Sequence, residues 1–124
     1  MTIVLVPLIL FSVLLSSIAQ ILLKTGMTNQ EIINAMNINN AFQIIRAIAS
    51  NYWVLGGLFI YFSSALLWLF VLAKVDVSLA YPFVSVGFIF TMILGYLIFG
   101  EPLSLTKLIG TALIVTGVVF ITRV

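Results

Sequence analysis

The chain has 124 residues, of which 64% are hydrophobic and only 6% are charged, and its mean hydropathy is +1.36. In soluble domains about a quarter of all residues are charged. This composition therefore excludes a soluble globular protein and indicates an integral membrane protein. There is no cysteine or histidine, and the net charge of +2 comes from basic residues spread along the chain, so we expect no metal, no cofactor and no nucleic-acid partner.

Four long apolar runs predict four transmembrane helices. We place them at about residues 3–23, 52–73, 79–99 and 104–122, in a single transmembrane domain covering residues 1–124. Each run can cross a hydrocarbon core of about 30 Å at a rise of about 1.5 Å per residue. The first run has no Lys or Arg before it and no A-x-A cleavage site, so we expect a retained helix rather than a signal peptide. The predicted fold class is an all-α membrane protein with short amphipathic interfacial helices between helices 1 and 2.

The first span carries a polar stripe. Ser12, Ser16, Gln20 and Lys24 are spaced by four residues, which places them along one helix face. Polar side chains in hydrocarbon are tolerated where they meet a partner helix or line a wet cavity, so we expect the stripe to face inward. For Ser12 we expect a packing role between helices. The other three are candidate substrate-binding residues, although Lys24 could instead extend to the lipid headgroups.

A polar segment rich in Asn and Gln, at about residues 28–50, separates the first two spans. Its apolar residues recur at helical spacing in two groups, which are Ile32, Ile33 and Met36, then Phe42, Ile45 and Ile48. We predict two short amphipathic helices at the membrane interface, with Arg46 on their polar side. The alternative is a water-exposed loop whose isoleucines pack on the bundle. The Arg46 guanidinium and the Lys24 ammonium are candidate donors to a phosphate.

Polar and aromatic side chains share one face in each of the next two spans. The faces consist of Tyr61, Ser64 and Trp68 in the second span, and of Tyr81, Ser85, Phe88, Met92 and Tyr96 in the third. We predict that they form walls of a substrate cavity, with Tyr61, Ser64, Trp68, Tyr81 and Ser85 as binding residues. Aromatic packing between helices is the commoner use of such faces. Pro82 fits either the first turn of the third span or a kink.

The last span begins after a turn with clear helix-end chemistry. Gly100 suits a helix C-terminus, Pro102 prevents the helix from continuing, and Ser104 is a predicted N-cap. Within the span, Gly110 and Gly117 are seven residues apart and lie on nearly the same face. Small residues let helix backbones approach closely in lipid, so we predict a dimer contact or a contact within the bundle.

All three acidic residues lie between the spans. They are Glu31, Asp76 and Glu101. A small proton-driven transporter usually needs an ionisable acid inside the membrane, so this pattern argues against coupling to protons. For Asp76 and Glu101 we expect ordinary solvated carboxylates in turns.

Basic residues give little information on orientation. With the N-terminus inside, the inner loops carry Lys74 and Arg123, while the outer loops carry Lys24, Arg46 and Lys107. Because this distribution is nearly balanced, the positive-inside rule allows dual or partner-dependent topology as well as a single orientation.

Four segments carry a resemblance to a known family. They are SVLLSSIAQILLKTG at residues 12–26, VDVSLAYP ending at Pro82, GYLIFGEPL at residues 95–103 and GTALIVTGVVFI at residues 110–121. The chain resembles the drug/metabolite transporter superfamily, and more closely the EamA-type four-helix branch of small multidrug resistance proteins and aminoarabinose-phosphoundecaprenol flippase subunits. Small multidrug exporters carry an essential Glu two helical turns before the lysine that ends the first span, and Ser16 stands there in this chain. The flippase subunits resemble this chain in having small polar residues at that place and a glutamine, here Gln20, shortly before the lysine.

The residues and the resemblance together predict a transporter rather than an enzyme. We expect a multi-pass protein of the bacterial inner membrane that flips a polyprenyl-phosphate-linked sugar or a related anionic lipid. It would act as a homodimer, or as a heterodimer with a similar four-helix subunit, surrounded by membrane lipids. One alternative is a multidrug or metabolite exporter with a different coupling group. Another is a non-transporting accessory subunit of a glycosyltransferase or transporter complex.

Overall fold

The structure, a computed structural model, describes residues 5–123. Residues 3 and 4, where the first span is predicted to begin, lie outside that range. The described residues contain helices and turns but no β-strand. In chain order the elements are α1 (Leu5–Met27), α2 (Gln30–Ile38), α3 (Ala41–Ala49), α4 (Tyr52–Leu72), α5 (Val77–Ala80), a 3₁₀ turn (Tyr81–Phe83), α6 (Val84–Phe99) and α7 (Leu105–Thr122).

Four helical stretches are long and apolar enough to cross a membrane: α1, α4, the continuous stretch Val77–Phe99, and α7. The predicted fold class, an all-α membrane protein, is confirmed. α1 runs on to Met27, past the apolar run, because its backbone stays hydrogen-bonded into the polar segment, where the N–H of Thr28 donates to the carbonyl of Lys24 at 3.0 Å. Hydropathy marks where the hydrocarbon ends, whereas a helix ends where its caps are.

Asparagines begin three consecutive helices. The side-chain oxygens of Asn29, Asn40 and Asn51 accept hydrogen bonds from backbone N–H groups of the first turns of α2, α3 and α4, at 2.9, 3.0 and 3.1 Å. Asn39 ends α2 in the left-handed region with φ 59°, which asparagine tolerates better than most residues. The asparagine-rich composition of this segment therefore sets the ends of two short helices.

The third span is interrupted near its start. Pro82 has no N–H to donate, and the chain changes from α5 to the 3₁₀ turn and then to α6 around it. The Ser85 hydroxyl donates to the carbonyl of Pro82. Of the two positions expected for Pro82, the structure has the break inside the helical stretch.

α1 is the central helix of the bundle. It packs most extensively against α4 and next against α6, whereas α7 contacts α6 and the 3₁₀ turn only lightly. Within the spanning window of α1, 39% of the residues are buried, whereas α7 buries only Thr111 and Val118. The buried hydrophobic cluster comprises Ile9, Val13, Val71, Val75, Ala80, Phe83 and Val118. It therefore gathers the first half of α1, the end of α4 and the start of the third span at one end of the molecule.

Candidate functional site

A cavity of about 590 Å³ lies between α1, α4 and the third span, with one residue of α7 at its edge. Several lining residues, among them Gln20, Tyr61 and Phe88, are exposed, so the cavity is a cleft that opens to the outside of the chain. Its lining includes the middle residues of the spans, such as Ser16 of α1 and Ile114 of α7. The cleft is therefore placed at the middle depth of the four apolar helices.

The polar lining of the cleft is uncharged. It is made of hydroxyl groups, one amide and two phenols, from Ser12, Ser16, Ser17, Gln20, Tyr61, Ser64, Tyr81, Ser85 and Thr91, and the rest of the lining is apolar or aromatic. No Asp, Glu, Lys or Arg within residues 5–123 contributes to the wall. Hydroxyl and amide groups can hydrogen-bond a neutral polar ligand, but such a wall supplies no counter-charge for a cation.

Some of these hydroxyls are used to hold the helices together. Ser12 Oγ donates to the carbonyl of Ser64 at 3.0 Å, which joins α1 to α4. Ser17 Oγ lies 3.0 Å from the carbonyl of Val13 and 3.1 Å from that of Gly87, which joins α1 to α6. For Ser12, the expected packing role is the one found, although its bond crosses to α4 instead of returning to its own helix.

Other polar groups remain available. Ser16, Gln20, Tyr61 and Tyr81 line the cleft and make no side-chain hydrogen bond to another described residue. Their donors and acceptors can therefore serve a ligand without breaking contacts that hold the bundle together. Trp68 adds a half-buried aromatic surface to the same cleft.

The structure brings together seven of the nine candidate binding residues. Ser16, Gln20, Tyr61, Ser64, Trp68, Tyr81 and Ser85 all line the cleft, and Lys24 and Arg46 do not. Lys24 follows Gln20 by one helical turn, about 6 Å along the axis of α1, so it stands just beyond the end of the cleft. Arg46 is exposed on α3.

Lys24 is paired within the chain. Its ammonium contacts the carboxylate of Glu101, in the turn between α6 and α7, and lies 5.1 Å from the centre of the Phe99 ring. Glu101 is an exposed turn carboxylate, as expected, but it also forms an ion pair with the end of α1, which the sequence did not predict. The side chains of Lys24 and Glu101 remain 48% and 40% exposed, so the pair is accessible from outside the bundle.

The turn that carries Glu101 is built by two glycines. Gly100 adopts φ 68° and donates its N–H to the carbonyl of Tyr96 at 3.1 Å, while the N–H of Glu101 donates to that of Gly95 at 3.2 Å. The first of these bonds is the 5→1 bond of an αL helix cap, whose left-handed position favours glycine. A Cβ at Gly95 would overlap the carboxylate of Glu101. Gly100 therefore allows the turn, and Gly95 leaves the space that the carboxylate occupies beside Lys24.

Two comparisons with known proteins identify the family. The sequence model of the EamA-like transporter family matches residues 2–123. The chain is also 36% identical over 120 residues to a protein of Photorhabdus laumondii, across 92% of this chain and 93% of that relative. The chain belongs to the EamA-like transporter family. With its four apolar helices, it is a multi-pass transporter of the bacterial inner membrane.

The relatives of this EamA-like protein carry related names. The Photorhabdus protein is named "Probable 4-amino-4-deoxy-L-arabinose-phosphoundecaprenol flippase subunit ArnF", and a Serratia proteamaculans protein with the same name is 33% identical over 86% of this chain and 83% of its own length. An Enterobacter protein named as the ArnE subunit is 39% identical over 56% of this chain and 64% of its own length. No solved structure matches the chain.

The sequence does not predict every residue that shapes the cleft of this EamA-like protein. Ser17 and Gly87 lie outside the polar stripes, yet they set the contact between α1 and α6 beside the cleft. A Cβ at Gly87 would come within 2.8 Å of Val13 Cγ1. A glycine inside an apolar span is the available signal for such a close approach, and it stands next to the predicted face of the third span.

The two glycines of α7 do not serve the bundle. A Cβ added at Gly110 or Gly117 would meet no atom of another element within 4 Å among residues 5–123. Of the two roles predicted for them, a contact within the bundle is therefore wrong for this chain. The dimer contact stays a prediction.

Proposed function

We propose that this EamA-like transporter is a subunit of a flippase that moves a polyprenyl-phosphate-linked sugar, or a related anionic lipid, across the inner membrane. The observation that carries the proposal is the uncharged polar cleft at the middle depth of the spans, next to a lysine at the end of α1. The names of the relatives support the same class of cargo, a sugar joined through phosphate to undecaprenol.

The cleft suits a sugar headgroup. A sugar presents many hydroxyl groups, and Ser16, Gln20, Tyr61 and Tyr81 offer unoccupied donors and acceptors to them. Trp68 provides a flat apolar surface of the kind that binding pockets use to fix an orientation. A headgroup that passes through the middle of the bilayer without these partners would leave its polar groups unsatisfied in hydrocarbon.

The phosphate would bind at the end of the cleft. Lys24 lies eight residues after Ser16, about 12 Å along α1, which is close to the half-thickness of a ~30 Å hydrocarbon core. A phosphate held there by the ammonium would remain near the interface while the sugar occupies the cleft. Arg46, on the segment next to this end of α1, is the second candidate donor. The polyprenyl tail would stay among the lipids that surround the apolar outer faces of α4 and α7.

A single subunit would not complete the path. α7 is almost unburied in the chain, and the cleft opens to the outside. We therefore propose that a second four-helix subunit, identical or similar, closes the cleft. The word "subunit" in the names of the relatives supports this.

The test measures the binding of undecaprenyl phosphate to the purified protein by native mass spectrometry. Lys24→Ala is expected to weaken binding by about tenfold or more, since it removes a charged hydrogen-bond donor. Lys107→Ala is the matched control, because Lys107 is exposed near the same end of the bundle and donates to the carbonyl of Pro102 at 3.0 Å. Its affinity should equal that of the wild type.

Other outcomes point to the alternatives. Equal affinities in wild type and Lys24→Ala would contradict the phosphate site. Proton release on addition of a cationic drug to proteoliposomes would favour an exporter over a flippase. Binding without movement of a fluorescent polyprenyl-phosphate analogue, together with one stoichiometric partner, would favour an accessory subunit.

A further inference from the structure

We infer that Glu101 is a built-in competitor at the phosphate site: it occupies Lys24 while the cleft is empty, and a phosphate must displace it to bind. This inference rests on the proposed function. It concerns a residue 77 positions away from Lys24 that lies outside the cleft wall.

The carboxylate is held in place by its turn. The N–H of Glu101 donates to the carbonyl of Gly95, which fixes the backbone of Glu101, and the side chain then folds back over Gly95, where an added Cβ would collide with it. A solvated turn carboxylate would need neither constraint. The turn is therefore shaped to hold one anionic group against the end of α1.

The pair also holds Lys24. A lysine at a span end normally extends along the helix toward the headgroups, with a flexible stem of four carbons. Here its ammonium is kept between the carboxylate of Glu101 and the face of Phe99. This keeps the charge one turn beyond Gln20, which lines the cleft, so the donor is positioned before a ligand arrives.

The ion pair of Lys24 and Glu101 is weak enough for a phosphate to displace the carboxylate. Both side chains are about half exposed, and ion pairs in such positions contribute little because water screens them. A phosphate offers the ammonium an equal or larger negative charge and several acceptor oxygens. A neutral lipid offers neither, so it cannot release Lys24. Glu101 thereby lowers the affinity for phosphorylated polyprenyl lipids and leaves the affinity for uncharged ones unchanged.

The experiment compares the affinities of Glu101→Gln and wild type for undecaprenyl phosphate and for undecaprenol in the same nanodiscs. Removal of the competing carboxylate is expected to strengthen phosphate binding about two- to fivefold, the range that a partly exposed ion pair allows. Undecaprenol binding should not change. Glu31→Gln is the matched control, since it removes the same charge from an exposed position in the first turn of α2 that forms no ion pair with Lys24.

Gly95→Ala tests the same competition by moving the carboxylate of Glu101 instead of removing it. The added methyl group would push the flexible end of Glu101 off its seat, while the charge of the protein stays the same and a helical alanine favours folding. We expect it to strengthen phosphate binding as Glu101→Gln does. Thermal unfolding of both variants checks that the bundle is intact.

Two results would overturn the inference. One is unchanged phosphate affinity in both Glu101→Gln and Gly95→Ala, with the wild type binding the lipid through Lys24, which would leave the proposed function standing. The other is an equal gain in Glu31→Gln, which would mean that general negative charge, and not the pair, opposes the phosphate. A wild type that binds no undecaprenyl phosphate would instead overturn the proposed function together with this inference.

Discussion

At the scale of single residues, Ser16 leaves the middle of the cleft without a charge. It lies at the middle of α1 and lines the cleft, at the place where small multidrug exporters, which this chain resembles, carry a glutamate. A hydroxyl there can hydrogen-bond a sugar but cannot balance a cation or exchange a proton at neutral pH. We therefore predict that this one side chain decides whether the cleft binds a cation or a neutral polar headgroup.

Ser16→Glu tests this dependence. A carboxylate at the middle of the cleft should attract tetraphenylphosphonium and repel a lipid phosphate. We expect the affinity for the cation to rise about tenfold or more, given the strength of charge interactions in a partly buried site. Ser16→Gln introduces a side chain of nearly the same size as glutamate but without the charge. This variant should bind the cation as weakly as the wild type. Equilibrium dialysis of the labelled cation measures both, and an equal gain in the two variants would mean that size rather than charge is responsible.

At the scale of helices, α1 organises the site by its contacts on two sides. The Ser12 bond joins it to α4 and the Ser17 bond joins it to α6. The approach of α6 depends on Gly87, where the first atom of any side chain would meet Val13 and Ser17. Since these contacts flank the cleft, the packing of α1 also fixes the positions of Ser16 and Gln20.

Gly87→Val should therefore destabilise the bundle. Overpacking of a close contact typically lowers the free energy of unfolding by about 1–3 kcal/mol. Gly56→Val is the matched control, because it places the same side chain in a spanning helix at a position where an added Cβ meets nothing within 4 Å. Titration with SDS, followed by the fluorescence of the two tryptophans, measures both variants. Equal losses would mean that the change of helix propensity, and not the contact with α1, causes the effect.

The elements differ in how far the sequence predicts them. The four spans and the walls of the cleft follow from hydropathy and from spacing within one helix, so the polar stripe from Ser16 to Gln20 is readable directly. The helix ends at Asn29, Asn40 and Asn51 could also be predicted, since each asparagine precedes an apolar run. The pair of Lys24 with Glu101 could not, because it joins distant parts of the chain through the packing of α1 beside α6.

At the scale of the whole molecule, one helix has little to pack against. α7 buries Thr111 and Val118 toward the bundle, but most of its large apolar residues are exposed, including Leu113 at 68% and Phe120 at 71%. Lipid can cover such a surface, since the tails are as apolar as leucine. Gly110 and Gly117 lie on nearly the same face of α7, where an added Cβ meets no described atom within 4 Å. Small residues let a second helix approach closely in lipid, so we predict that this glycine face is a subunit contact.

Gly117→Leu tests whether the glycine face of α7 is the subunit contact. A leucine would hold the second helix away, so we expect association to weaken about tenfold or more, as overpacking of a close contact does. Ala112→Leu makes a similar change on the other side of α7, because positions 112 and 117 are about 140° apart around the helix, and it should leave association unchanged. Energy transfer between labelled subunits in liposomes, measured over a range of protein-to-lipid ratios, gives the association constant of each variant.

Equal association of Gly117→Leu and wild type would exclude the glycine face of α7 as the contact. The second subunit would then have to close the cleft from the side of Tyr61 and Phe88, where the cleft opens to the lipid.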